Sequence, residues 1–320
     1  MFRISHILLL SSLTLVQAMF AQNREIMGEY KIGIIGRDQK DASYQATESG
    51  AKATALALSQ RYSIDVEVVS VTPDSTQGGT QQSALEQLFI ENADGFIISP
   101  DGSDTVKNAV EFAQQEGQEI VFFESAIKEI QPLASIVAGE FEAGQLAGQT
   151  MLKLLPTKAR AALLISETPS PAMLERLKGA RSALGYKRIE TMVRCKPDYL
   201  SAIEAIRTAE ERDRNDLIRG WIFLGDWPLL GMPGLPWKPG ELPCVVIQST
   251  PSAFIYLDQG YVNAMITHPY YDWGSMSVEA LIGKLHNQSV PEQLAITTKP
   301  QLIDRQNIDD YRGRWKNWLK

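Results

Sequence analysis

The sequence predicts an α/β protein in which two similar series of parallel strands and helices follow one another. The first observation is that short apolar runs such as 96–98 and 120–123 show no alternation, which is typical of parallel strands covered on both faces. The second is a polar helix with one apolar stripe between these two runs. The third is that an apolar strand opens a new βα series at Ala161, about 130 residues after the first strand. Together they predict a duplicated, doubly wound α/β pattern.

The strand–helix–strand unit over 92–125 is the clearest element. Its helical stripe consists of Val106, Ala109, Val110 and Ala113. Ser103 is the expected N-cap, and Gly117 is the expected stop. In such a unit the loops after both strands, 100–102 and 124–125, lie on one edge of the sheet. That edge is where ligands bind in open α/β sheets.

The remaining elements of the first half follow the same order. Strands are expected over 30–36, 64–71 and 134–138, with helices ending near Gln60, beginning at Thr80 and ending before Pro156. The helical residues predicted to face inward are Ala51, Ala55, Leu58, Leu85, Leu88, Phe89, Ala143, Leu146, Ala147, Thr150, Met151 and Leu154.

The second half repeats this order and then departs from it. Expected strands are 161–166, 189–195, 220–224, 245–248 and 262–267, with helices over 171–184 and 199–212. A helix over 272–286, an extended run over 294–303 and an amphipathic tail come last. The tail carries aromatic residues and basic residues. Such a composition is compatible with a helix on a membrane surface. The favoured interpretation is that the tail packs against its own domain.

The length of 320 residues and the hydrophobic fraction of 44% suit a globular chain of two domains. At the N-terminus Arg3 precedes an apolar stretch over 7–16, followed by the small cleavage candidates Ala18 and Ala21. This layout predicts a cleaved signal peptide over 1–21 and export to the periplasm, with a retained anchor as the alternative. A net charge of −7 argues against a nucleic-acid partner. Cys195 and Cys244 are expected at the ends of non-adjacent strands, so unpaired thiols are favoured although an oxidising compartment permits pairing.

Motifs that mark enzymes are missing from the sequence. The glycines of 33–36 lack the dinucleotide spacing G-x-G-x-x-G, and neither a phosphate-binding G-x-x-x-x-G-K-[ST] nor a G-x-S-x-G elbow occurs. The chain has three histidines, one of them in the predicted signal peptide. We therefore expect no catalytic residues, no cofactor and no metal site.

Several motifs resemble those of the ribose-type periplasmic sugar-binding proteins, the type I substrate-binding proteins of ABC importers. The most specific is Ile97-Ile98-Ser99-Pro100-Asp101-Gly102-Ser103-Asp104 with the helix and strand that follow it. The resemblance covers nearly all of the chain after the predicted signal peptide. Further matching segments are 139–144, 175–179, 223–226 and 263–267.

This resemblance implies two similar doubly wound lobes joined by a three-segment hinge, with the ligand held between them. The N-terminal lobe is expected to comprise 28–139 plus 270–288. The C-terminal lobe is expected to comprise 140–269 plus 290–303, and 304–320 forms the tail. A helix and a strand trail the second half because each returns to complete a lobe.

The resemblance also implies the ligand-binding residues, although the match to ribose-specific positions is partial. Arg176 and Asp226 agree with the family, and most other positions differ, so a different sugar, a polyol or another small polar ligand remains open. The full set of candidates is Asp41, Ser43, Tyr44, Glu124, Ser125, Phe141, Arg176, Asp226, Trp227, Ser249 and His268.

The chemistry of these residue types suits a sugar. Charged side chains replace the water stripped from hydroxyl groups, and flat aromatic rings such as Tyr44, Phe141 and Trp227 cover the C–H face of the ring. Each of these has a structural alternative: Tyr44 as a helix cap, Phe141 or His268 as hinge packing, Trp227 as packing under the long loop, and Arg176 as a solvated helix residue.

The sequence therefore predicts a monomeric, exported, non-enzymatic solute-binding protein that captures a small-molecule ligand, a sugar or polyol, by hinge closure. Its expected partner is an ABC importer permease, with the periplasmic domain of a membrane sensor as the alternative. An enzyme that reuses the cleft would be marked by a strongly perturbed acid–base pair. The ligand domain of a transcription factor would need a DNA-binding head where this chain has the predicted export signal.

Overall fold

The computed structural model describes residues 26–231 and 234–320. Within this part the chain forms two six-stranded sheets with helices on their faces, which confirms the predicted α/β class. The predicted signal peptide, 1–21, lies outside the described residues. None of the described helices is both long enough and apolar enough to cross a membrane.

The first sheet is parallel throughout and has the order β11–β5–β4–β3–β1–β2. Its strands are β1 (Glu29–Ile35), β2 (Asp65–Ser70), β3 (Gly95–Ile98), β4 (Glu119–Glu124), β5 (Ala134–Ala138) and β11 (Ala295–Thr298).

The second sheet has the order β12–β10–β9–β8–β6–β7, and only its edge strand β12 runs antiparallel to its neighbour. Its strands are β6 (Arg160–Ser166), β7 (Ile189–Cys195), β8 (Ile218–Phe223), β9 (Cys244–Ile247), β10 (Ala264–Thr267) and β12 (Gln301–Ile303).

Nine α-helices cover these sheets in the described part of the chain. They are α1 (Ala42–Tyr62), α2 (Gln81–Ile90), α3 (Asp104–Gln115), α4 (Glu140–Leu154), α5 (Pro171–Leu184), α6 (Tyr199–Arg212), α7 (Phe254–Gln259), α8 (Tyr270–Asn287) and α9 (Ile308–Trp318).

The chain passes between the two sheets three times. It leaves the first sheet after β5, returns after β10 through α8, and crosses again between β11 and β12. The run 290–303, predicted to belong to the C-terminal lobe as a whole, is therefore divided. Its first half pairs with β5, and only Gln301–Ile303 pairs with β10. Strand pairing is non-local, so an extended run by itself does not reveal which sheet it joins.

Local capping chemistry explains why most helices begin where the sequence indicates. The Ser103 side chain accepts from the N–H of Val106, and Thr80 forms a capping box with Ser83. Two inward-facing predictions are wrong. Phe89 is 40% exposed and Leu154 is 38% exposed, because each lies at the solvent margin of its helix.

The helices α4 and α5 pack with almost no space between their backbones. A methyl group added at Gly144 would collide with the carbonyl oxygen of Arg176, and one added at Gly179 with that of Phe141. Only glycine permits this approach. The contact holds the start of α4 against α5 and so determines the position of Glu140, the first residue of α4.

The tail helix α9 packs at the hinge through its aromatic residues. Tyr311 and Trp315 contact Phe254, and Trp315 also contacts Tyr270 at the start of α8. Trp318 stacks on Tyr271 with ring centroids 5.7 Å apart. The predicted docking of the tail is thus observed.

Candidate functional site

Glu124 is the centre of the polar cluster on the N-terminal lobe. It is the last residue of β4, where its backbone adopts a left-handed φ of 61°. One carboxylate oxygen accepts hydrogen bonds from the Tyr44 hydroxyl at 2.9 Å and the Ser99 hydroxyl at 2.6 Å. The guanidinium of Arg37 lies 3.3 Å from the same oxygen. This conformation is strained for a residue other than glycine, so the surrounding contacts must hold the Glu124 side chain in place.

Two further predicted residues belong to this cluster. Ser125 accepts a hydrogen bond from Arg37 at 2.9 Å. Asp41 caps α1, accepting from the backbone N–H of Ser43 at 2.8 Å and from the Ser43 hydroxyl at 2.6 Å. Burial raises the pKa of Asp41 above its usual range despite these hydrogen bonds. The Ser43 hydroxyl is thus used in capping, while one oxygen of Asp41 has no partner in these contacts.

A buried ion pair lies on the C-terminal lobe at the start of α4 and α5. Arg176 binds the Glu140 carboxylate through two parallel hydrogen bonds of 2.5 and 2.8 Å and donates a third, of 3.0 Å, to the carbonyl of Leu224. The ring Nε2 of His268 lies 3.3 Å from Glu140. Burial opposes ionisation, yet the positive charge of Arg176 holds the pKa of Glu140 well below its usual range.

Asp226, on the loop after β8, supplies a second buried carboxyl group to this lobe. The Thr250 hydroxyl donates to it at 3.1 Å. Burial, followed by repulsion from the Asp41 carboxylate, raises the pKa of Asp226 to about 6. The neighbouring Trp227 is buried, and its indole N–H donates to the thiol of Cys195 at 3.4 Å. Cys195 and Cys244 are both buried free thiols.

The two polar clusters face each other across the lobes. The charge of Asp41 acts on Asp226, and the charges of both act on the buried hydroxyl of Tyr270. Across the same gap Arg37 and Arg176 repel each other, while Glu124 stabilises the charge of Arg176. Arg37, Asp41 and Glu124 follow or end strands of the first sheet, whereas Asp226 follows β8 and Arg176 lies in α5, so these interactions bring charged residues of the two lobes near one another.

Three other predicted residues have structural partners. Ser249 is fully buried and donates to the Tyr311 hydroxyl of the tail helix at 3.3 Å. The His268 ring stacks on Trp273 with centroids 5.8 Å apart. Phe141 is partly exposed in the first turn of α4, at the hinge.

The structure adds residues that the sequence did not single out: Arg37, Ser99, Glu140, Thr250, Tyr270 and Tyr311. Glu140 carried the clearest signal, because an acidic residue opens the helix that follows the first crossing. The others gain their position only through partners far away in the sequence. Among the described residues no group of three metal-binding side chains occurs.

Two largely parallel six-stranded sheets joined by three crossings define the two-lobed type I architecture. The match to a family model extends this: residues 32–289 match the periplasmic binding protein domain. The chain therefore belongs to the periplasmic binding protein family.

Solved structures share this fold at low sequence identity. A periplasmic ribose ABC transporter protein from Conexibacter woesei has a TM-score of 0.75 and 18% identity, covering 92% of this chain and 98% of its own. A solute-binding protein from Burkholderia graminis in complex with D-arabinose has a TM-score of 0.74 and 19% identity, covering 88% and 97%. An arabinose-binding protein from Geobacillus stearothermophilus has a TM-score of 0.75 and 18% identity, covering 88% and 99%. A search of curated proteins found no match.

Proposed function

We propose that this protein is an exported solute-binding protein that captures a monosaccharide or related polar ligand by hinge closure and delivers it to an ABC importer. The observation that carries the proposal is the pair of charged clusters, one on each lobe, whose members interact across the cleft. A ligand held between them would join the lobes and stabilise the closed form.

The clusters suit a ligand with many hydroxyl groups. Glu124 and Arg37 on one lobe, and Arg176 on the other, offer charged acceptors and donors, which form stronger hydrogen bonds than neutral groups do. Their own mutual contacts fix their directions before a ligand arrives. A preorganised site of this kind loses less side-chain freedom on binding.

Tyr44 supports the carbohydrate class in a second way. Its hydroxyl is held by Glu124, and its ring meets Phe123 edge-on with centroids 6.1 Å apart. The ring is thus fixed in the wall of the N-terminal lobe. We propose that it covers the C–H face of the bound ring. Phe141 at the hinge is the candidate for the opposite face.

The structural neighbours agree with this class. The Burkholderia protein is in complex with D-arabinose, the Geobacillus protein is an arabinose-binding protein, and the Conexibacter protein belongs to a ribose ABC transporter. Because identity is 18–19%, we carry over only the class of small sugars and not a particular one.

A thermal-shift screen of the protein expressed from residue 22 tests this function. The panel contains pentoses, hexoses, polyols, nucleosides and amino acids. A ligand at 100 times its dissociation constant stabilises the folded state by about 2.7 kcal/mol. We expect shifts with members of the sugar and polyol group. Shifts confined to nucleosides or amino acids would exclude the carbohydrate assignment.

The pair Asp41 and Asp226 favours one second candidate, an enzyme that uses the same cleft. Both carboxyl groups have a raised pKa, and perturbed carboxyl pairs also occur in catalytic sites. Both shifts, however, begin with burial, and no division into an acid and a base is visible. Recovery of the bound ligand after overnight incubation decides between the two: unchanged ligand by NMR supports a binding protein, and converted ligand supports an enzyme.

Import and sensing make different demands on the partner. We propose import, in which the closed protein meets a permease and export places it in the periplasm as a monomer. Deleting the gene in its host and following uptake of the radiolabelled ligand tests this. Normal uptake together with a lost transcriptional response to the ligand would support the sensor alternative.

A further inference from the structure

The tail helix α9 is anchored to the C-terminal lobe near its start. The Tyr311 hydroxyl lies 2.5 Å from the Thr267 hydroxyl at the end of β10. The next residue, Arg312, donates two hydrogen bonds of 2.8 Å to the carboxylate of Asp258 on α7. The Tyr311 ring also packs edge-on against Phe254 of α7, with centroids 5.7 Å apart. Because β10 belongs to the second sheet and α7 lies between β9 and β10, this end of α9 is held to the C-terminal lobe.

The other end of α9 reaches the N-terminal lobe. Trp318 stacks on Tyr271, the second residue of α8, with the two ring planes 19° apart. The first turn of α8 is fixed to α1, because the Thr47 hydroxyl donates to the carbonyl of Tyr270 at 3.0 Å. A methyl group added at Gly50 of α1 would also collide with the carbonyl oxygen of Tyr271, so the two helices are in close contact there. Trp318 therefore rests on a ring that is held to the N-terminal lobe.

A continuous row of aromatic rings joins these two ends of α9. Tyr311, Trp315 and Trp318 have the spacing i, i+4 and i+7, which places them on one face of the helix. The buried Trp315 ring lies 6.1 Å from the Tyr311 ring and 5.3 Å from the Trp318 ring, between centroids. It also contacts Tyr270 at 5.9 Å. The row thus runs from one lobe to the other beside the second crossing, and it lies outside the family match, which ends at residue 289.

Contacts that span two lobes resist their separation. Hinge motion rotates two nearly rigid bodies about the segments that connect them. A side chain that is fixed to one body and stacked on the other must therefore slide or detach when the lobes move apart. The interaction energy of one aromatic pair changes the ratio of two lobe arrangements by roughly 2- to 12-fold. The stacking of Trp318 on Tyr271 is a contact of this kind.

We propose that α9 is a strap that restrains the separation of the two lobes, and that the stack of Trp318 on Tyr271 is the contact that must break when they separate. This rests on the proposed function, since it describes how the same cleft is held ready for its ligand. The strap increases the fraction of ligand-free protein in the arrangement that binds the ligand. The apparent affinity for the ligand rises in proportion to that fraction.

Double electron–electron resonance on the ligand-free protein tests the strap. Spin labels are attached to Thr105→Cys at the start of α3 and Thr168→Cys after β6, two exposed positions on opposite lobes. The native Cys195 and Cys244 are buried and thus shielded from the label. We expect Trp318→Ala to move population from the wild-type distance to longer distances, with at least about a twofold change in their ratio. An unchanged distance distribution in the folded variant would overturn the strap, whereas the carbohydrate function would stand or fall by the thermal-shift screen.

Further variants assign the effect to the stacked rings. Trp318→Phe keeps a flat ring on Tyr271 and should restore most of the wild-type distribution, and Lys316→Ala, on the exposed side of α9, should leave it unchanged. Tyr271→Ala should act like Trp318→Ala, and the double variant should go no further than either single variant, because both remove the same contact. Additive effects of the two alanine substitutions, or an equal shift in Trp318→Phe, would overturn the proposal.

Discussion

The substitution Asp226→Asn offers the sharpest physical test of the cleft, because it acts on the ligand-free protein. Asp226 is 9% exposed, and its folded-state pKa of about 6 lies above the usual 3.8 of aspartate. The folded protein therefore binds this proton more tightly than the unfolded chain does. Stability from this group is complete below pH 3.8 and is lost as the pH rises to about 6.

The size of the effect follows from the pKa difference. A change of roughly 2 pKa units corresponds to about 3 kcal/mol, at about 1.4 kcal/mol for each unit. Above pH 6 the ionised Asp226 thus destabilises the fold by up to this amount relative to a neutral side chain. Asparagine keeps an oxygen that accepts from Thr250 and carries no charge. We expect Asp226→Asn to be more stable than wild type by about 1–3 kcal/mol at pH 7.

Urea unfolding at pH 4 and pH 7 measures the prediction. The gain in unfolding free energy should be present at pH 7 and should nearly vanish at pH 4, where the wild-type carboxyl group is also neutral. Asp65→Asn, on the exposed side of β2, serves as the control and should change stability little at either pH. Equal stability of variant and wild type at pH 7, or a gain of the same size at pH 4, would refute the reasoning.

Three further predictions concern packing and are measured by urea unfolding at pH 7. Arg176→Met leaves the Glu140 carboxylate of a buried ion pair unpaired and should lower the free energy of unfolding by about 3–5 kcal/mol. The control Lys178→Met breaks an exposed ion pair on the same helix and should lower it by less than about 1 kcal/mol. Similar losses in the two variants would contradict the burial argument. Trp315→Ala should lower the free energy of unfolding by about 3–5 kcal/mol, because the Trp315 side chain is 2% exposed and packs against Phe254 and Tyr270. A loss below about 1 kcal/mol would mean that the tail helix is not anchored by this ring. Gly144→Ala should destabilise the folded protein by about 1–3 kcal/mol, because the added methyl group meets the carbonyl oxygen of Arg176. The control Gly313→Ala adds a methyl group in open space on α9 and should be neutral or slightly stabilising. Equal effects of the two substitutions would contradict the close contact between α4 and α5.

The order of elements was predictable because its signals are local. The helices Pro171–Leu184 and Tyr199–Arg212 and the strand Ile189–Cys195 have the bounds that the sequence predicts. Ser170 and Asp198 cap the two helices with their own side chains, so the start of each is encoded within three residues. Parallel strands covered on both faces were equally visible as unbroken apolar runs.

The charged partners of the site were not predictable in the same way. The sequence indicated Glu124 and Arg176 as cleft residues, and the structure shows them in the facing clusters. It did not indicate that Arg37 pairs with Glu124, 87 residues away, or that Glu140 pairs with Arg176. Such pairs depend on which strand ends meet, which is a property of the whole fold. The roles of these residues toward a ligand remain predictions.

The tail helix α9 forms hydrogen bonds with residues at the strand ends of the C-terminal lobe. Ser249 was predicted to contact the ligand, but it donates to the Tyr311 hydroxyl, which also pairs with Thr267 at the end of β10. Tyr311 thus connects the ends of β9 and β10 to a helix whose Trp318 stacks on Tyr271, at the start of the helix that returns to the N-terminal lobe.

This arrangement leaves the carboxyl group of Asp226 as the acceptor through which this part of the wall can reach a ligand, because the hydroxyl of Ser249 is already used. Asp41 on the N-terminal lobe likewise keeps one carboxylate oxygen without a hydrogen-bond partner among the described residues. Acceptors on both lobes suit a ligand with several hydroxyl groups, because each hydroxyl group can donate one hydrogen bond to a carboxylate.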